Sequence, residues 1–67
     1  MLNYSEHAIK RMKQRAITAF EVEYLLRFPA EVRIFKDRKI ASAFVGGRHL
    51  KVVFVEGENY IKIITVM

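Results

Sequence analysis

His7, Arg11 and Arg15 stand four residues apart in the run Ser5-Glu6-His7-Ala8-Ile9-Lys10-Arg11-Met12-Lys13-Gln14-Arg15. On a helix this spacing stacks one imidazole and two guanidiniums in a row about 12 Å long. Guanidinium binds phosphate oxygens bidentately and stabilises added negative charge. Imidazole moves protons near neutral pH. Those abilities, with a second acid or base, are what metal-independent RNA cleavage needs. The 2′-hydroxyl must be deprotonated, the phosphorane stabilised and the 5′-oxygen protonated. Lys10 and Gln14 lie beside the row and are RNA-binding candidates. The plainer alternative is a solvated basic face with an exposed or capping His7.

Later in the chain, Arg48, His49, Lys51, Tyr60, Lys62 and Thr65 are candidates for the second group. Tyr60 and Lys62 alternate onto one strand face, and Lys51 can lie across from them in a suitable register. Each has an ordinary reading too. Strand lysines protect edges, a strand tyrosine packs, and a strand threonine is a satisfied core hydroxyl. Other chemistries lack their residues. Two histidines 42 positions apart, with no cysteine and no clustered carboxylates, give no metal site. No G-x-x-x-x-G-K-S/T, G-x-G-x-x-G or G-x-S-x-G motif occurs, and no cofactor is implied.

The elements that must position these residues are legible. Ser5 is a good N-cap and Glu6 suits the positive end of a helix dipole. The pattern predicts a helix from Glu6 to about Ala16, with Ala8, Ile9, Met12 and Ala16 on its apolar face. His7, Lys10, Arg11 and Gln14 fall opposite, with Arg15 beside Arg11. Thr18 and Glu21 form a capping box for a second helix, stapled by Ile17 and Val22 and ended by Pro29. From Glu31 the period becomes two. Strands are expected over 31–35, 39–45, 49–55 and 60–67, with turns at Asp37–Arg38, Gly46–Gly47 and 56–59. Tight turns make this an antiparallel meander. Strict alternation points Ile61, Ile63 and Thr65 one way, and Ile64 and Val66 the other. The last two strands are apolar on both faces, so either something covers the second face or the sheet curls around it.

The expected fold is therefore α+β. Two N-terminal helices pack on a four-stranded antiparallel sheet, with a short extra strand at Leu2–Tyr4. The chain of 67 residues is read as a single domain over residues 1–67. It has no cysteine, which excludes disulfide scaffolds and thiolate metal sites. No apolar run approaches the ~20 residues that span a bilayer. No leader pattern is seen, and a cytoplasmic protein without membrane contact is expected. Twelve Lys and Arg against seven Asp and Glu give +5, concentrated before residue 16 and after residue 30. A compact basic domain attracts polyanions, RNA first among them, or an acidic protein. So small a domain is marginally stable alone, which favours a homodimer or another bound partner.

The helix run, continued by Ala16-Ile17, resembles the opening signature of a small uncharacterised prokaryotic domain family, roughly S-x-H-A-x-x-R-M-x-x-R-G-I. Pro29-Ala30-Glu31-Val32 and Ile64-Thr65-Val66 match its P-x-x-V step and last-strand I-T-V, so the resemblance covers almost the whole chain. Ala16 stands where that family usually has glycine, which bears on the turn between the helices. The family in turn resembles the RelE/ParE-like toxins. The resemblance implies a ribonuclease-like toxin acting on RNA, free or on the ribosome, with an antitoxin protein as partner. It carries His7, Arg11, Arg15 and Thr65 over as catalytic residues. Arg48, Lys51 and Lys62 join Lys10 and Gln14 as RNA-binding candidates. Some RelE/ParE-like toxins do not cleave RNA, so a non-catalytic RNA-binding or protein-interaction module is the alternative.

Overall fold

A computed structural model describes residues 2–67. The order of elements is β1 (Leu2–Tyr4), α1 (Glu6–Arg15), α2 (Ala19–Arg27), β2 (Glu31–Phe35), β3 (Arg38–Val45), β4 (Arg48–Glu56) and β5 (Ile61–Val66). The α+β class is as expected. The sheet differs: it has five strands in the order β1-β5-β4-β3-β2, and it is mixed. β2 to β5 form the antiparallel meander, while β1 pairs parallel to β5, Leu2 beside Ile61 and Tyr4 beside Ile63. The reason is connectivity. Three hairpins return the chain to the far side of the sheet, beside a strand that left it through two helices. Local pattern cannot show so distant a pairing.

Both helix starts form as their caps dictate. The Ser5 side chain accepts from the Ala8 N–H, and Thr18 and Glu21 complete the reciprocal capping box. α1 ends one residue earlier than its pattern suggested. Ala16 turns left-handed at φ 52°, so its N–H bonds to the Lys13 carbonyl and that of Ile17 to the Met12 carbonyl. This is the Schellman arrangement, usually made by glycine because an L side chain is strained there. In the first hairpin the turn is Lys36–Asp37 rather than Asp37–Arg38, with Lys36 at φ 59°. Gly46 and Gly47 both take positive φ, as a two-residue hairpin turn requires. Tyr60 lies in the last turn, outside β5.

The core lies between the helices and one sheet face. Ala8, Ile17, Val22 and Leu25 from the helical side meet Ala41, Ala43, Val45, Leu50, Val52, Phe54, Ile63 and Val66 from the sheet. α1 packs on β5, and α2 on β3 and β4. One irregularity changes which residues face the core. Between Val53 and Phe54 the β4–β5 register slips, so Phe54 sits beside Ile63 but Val53 beside Thr65. The bulge takes up one extra residue and reverses the alternation beyond it. Val66 therefore enters the core with Ile63, and Thr65 moves to the opposite face, against the strict alternation expected from the sequence. Ser5 is bonded at this bulge: its N–H donates to the Ile63 carbonyl and its hydroxyl to the Ile64 carbonyl.

Candidate nucleic-acid surfaces

α1 presents the predicted row. His7, Lys10, Gln14 and Arg15 are exposed and Arg11 is half-buried. Among the described residues none of these side chains has a hydrogen-bond or ion-pair partner. Ala8, at the centre of the packed side, is fully buried and anchors the helix on β5. The row is thus rigidly carried but chemically unengaged.

Arg48 has a different position from the other basic candidates. Its guanidinium donates to the carbonyls of Arg15 and Ala16 at 2.8 and 2.9 Å, and to both Glu21 carboxylate oxygens at 3.2 Å. It satisfies carbonyls at the end of α1 and ties both helices to the start of β4. The Thr18 backbone N–H, and then the Arg48 guanidinium, hold the Glu21 carboxyl below the usual carboxylate range. Arg48 is therefore occupied in joining elements.

Lys51, Lys62 and Thr65 are not in the helical layer. Pairing places Lys51 between Ser42 and the Met67 end of the chain, Lys62 beside Val55, and Thr65 beside Val53. All three lie on the sheet face turned away from the helices. The register does not bring Lys51 across from Lys62, and Tyr60 is off the strand. Thr65 is likewise separated by the sheet from the layer that holds His7. Apart from Arg48 at the helix joint and Tyr60 in the last turn, the predicted residues thus form two groups, one on α1 and one on the bare sheet face.

The bare face also holds residues that the sequence did not single out. Glu31, Ser42 and Lys51 form one cross-strand row, and Arg33 follows on the same face of β2. With Ile40 and His49 they line a hollow of about 240 Å³. Arg33 pairs with Glu31 at 3.3 Å, while Lys51 has no ion-pair partner among the described residues. The His49 ring lies 5.1 Å from that of Phe44, which is 74% exposed. Period-two reading could have grouped Arg33 with Glu31. Joining β2 to β4 required the register.

A second hollow, apolar and about 520 Å³, lies along α1 and the α1–α2 turn, lined by residues that include Tyr4, Ile9, Met12 and Ile17. The Tyr4 hydroxyl is buried beside it without a hydrogen-bond partner among the described residues, and burial, then the nearby Glu23 charge, raise its pKa. No three His, Asp or Glu side chains gather into a metal-binding group among the described residues. No helix among them is long and apolar enough to cross a membrane.

No curated protein and no solved structure matches this chain. Residues 4–67 match the family model described as Domain of unknown function (DUF4258), a span that includes both helices, the meander and every candidate residue discussed above. The chain belongs to the DUF4258 family.

Proposed function

We propose that this domain binds RNA and cleaves its backbone without a metal, with His7, Arg11 and Arg15 as the working residues. The observation that carries the reading is the row itself. One imidazole and two guanidiniums stand on one rigid helix with no intramolecular partner among the described residues. Unpaired guanidiniums held beside an imidazole are what a phosphodiester needs. In the reaction the 2′-oxygen attacks phosphorus and gives its proton to a base. The 5′-oxygen leaves and takes a proton from an acid. The products are a 2′,3′-cyclic phosphate and a 5′-hydroxyl, and no other reactant is consumed. His7 supplies one of the two proton transfers, and Arg11 and Arg15 hold the non-bridging oxygens. The resemblance to RelE/ParE-like toxins supports a toxin of a toxin–antitoxin pair, with an antitoxin-type protein as partner.

The bare sheet face favours a second reading, a non-catalytic RNA-binding module. Lys51 and Arg33, with His49 beside the exposed Phe44, offer positive charge next to a stacking surface. Thr65 lies on that face and not beside the helix row.

Incubation with RNA at low salt in EDTA separates the two. Cleavage by the wild type, lost in His7→Ala and Arg11→Ala, is the expected result. Cleavage by His7→Ala at the wild-type rate would remove His7 from the chemistry. RNA bound but uncut by every variant would establish the second reading.

A further inference from the structure

We propose that β2 is a self-association edge, through which two copies of this chain join their sheets about a two-fold axis. The two ends of the sheet are unlike. β1 is only three residues long, whereas β2 runs for five residues in unbroken register with β3. Every residue of β2 is exposed. It has no proline and no bulge, two of the devices that shield an edge strand in a monomer. The helical layer also stops short of it, since α2 packs on β3 and β4. Val32 and Ile34 lie on the helix side of the sheet, beside Ala41 and Lys39, yet Ile34 is 72% exposed. On α2, Leu26 turns toward Leu2 and Ile61 at the β1–β5 side. The helical wheel then sets Tyr24 and Phe28 on the opposite side, where Tyr24 shares a hollow with Phe44 and Val45 at the end of β3 and the two rings, 5.2 Å apart, are about half open. An uncovered apolar strip therefore runs beside an unpaired strand edge.

The charges of the strand select a second copy as its occupant. Glu31 and Arg33 flank Val32 on the bare face. When two such strands pair antiparallel with Val32 opposite Val32, each Glu31 meets the Arg33 of the other copy. Two equivalent ion pairs then flank the axis, as an isologous interface requires. A shift to Arg33 opposite Arg33 sets like charges together, so the pattern also chooses the register. In the chosen pairing both helical layers lie on one side of a ten-stranded sheet. The two strips of Val32, Ile34, Tyr24 and Phe28 then flank the seam and cover one another. A 67-residue domain gains the apolar burial that it lacks alone.

The test is the mass in solution of the full chain, by sedimentation equilibrium across micromolar concentrations. The wild type is expected at twice the 7.9 kDa chain mass. Glu31→Arg alone and Arg33→Glu alone each place like charges at both pairs and should weaken association by about tenfold or more. The double variant Glu31→Arg/Arg33→Glu restores opposite charges and should restore the dimer. Ile34→Lys, at an exposed position, should give a folded monomer with an unchanged circular dichroism spectrum. A wild type that stays monomeric overturns the proposal. So does a double variant no better than its single parents, or a dimer indifferent to Ile34→Lys. None of these results depends on whether RNA is bound or cut.

Discussion

The two faces of the sheet differ in what holds them. On the helix side Val52, Ile63 and Val66 are fully buried against Val22 and Leu25. On the other side Ile40, Val53 and Val55 are shielded only by neighbouring side chains, among Lys51, Lys62, Arg33 and Arg38. The covered face supplies cohesion, and the bare face supplies charge and aromatic surface. Substitutions on the two faces should therefore be felt differently.

The largest effect should come from the covered face. Ile63→Ala removes a fully buried side chain and should cost roughly 2–5 kcal/mol, read as a fall in urea midpoint. For a chain this size the whole stability is on the order of 3–10 kcal/mol, so extensive unfolding is expected. A loss there no greater than for Val55→Ala would break the comparison.

Next comes the pin that holds the covering layer. Arg48→Ala should cost roughly 1–2 kcal/mol by leaving the Arg15 and Ala16 carbonyls without their donor, and it also frees the Glu21 carboxylate. The pH dependence has a definite sign. Glu21 has its pKa lowered in the folded state, first by the Thr18 N–H and then by Arg48. Its ionised form therefore stabilises the fold above the ordinary carboxylate range, and that contribution is lost as pH falls through the folded pKa. Urea midpoints measured from neutral to acid pH should fall less steeply in Arg48→Ala than in the wild type. Parallel profiles would show that Arg48 does not act through Glu21.

A smaller effect, of opposite direction, should follow at the joint between the helices. Ala16→Gly relieves the left-handed strain at φ 52° and should raise stability by about 1 kcal/mol. Thermal unfolding checks this, and a lowered midpoint would refute the strain argument. Smallest of all, Phe44→Ala on the bare face should change stability by about 0.5 kcal/mol or less. If RNA lies on that face, the same variant should weaken binding of a short single-stranded RNA, measured by fluorescence anisotropy.

Much of this architecture is legible in the sequence. Ser5 and Thr18-x-x-Glu21 mark helix starts because a cap acts on amides two or three residues away. Gly46–Gly47 marks a hairpin because both positions need positive φ. The row His7–Arg11–Arg15 follows from helical repeat alone. Other features escaped. Strict alternation groups Thr65 with Ile63, but one extra residue in a bulge reverses all alternation beyond it. Arg48 read as a free cation, since its partners Arg15, Ala16 and Glu21 lie 27 to 33 residues away. The hollow of Glu31, Arg33, Ser42, His49 and Lys51 needed the pairing of three strands.

The sequence by itself determined where helices begin, where hairpins turn, which helix face is basic and that the fold class is α+β. These rest on interactions within a few residues, whose geometry the backbone repeats impose. Only the tertiary structure decided the parallel union of β1 with β5, the bulge that turned Thr65 from the core, the occupation of Arg48 and the open edge at β2. Each depends on register between segments distant in the chain. Register is chosen by the packing of the whole core, with Val52, Phe54, Ile63 and Val66 all seated against the helices at once.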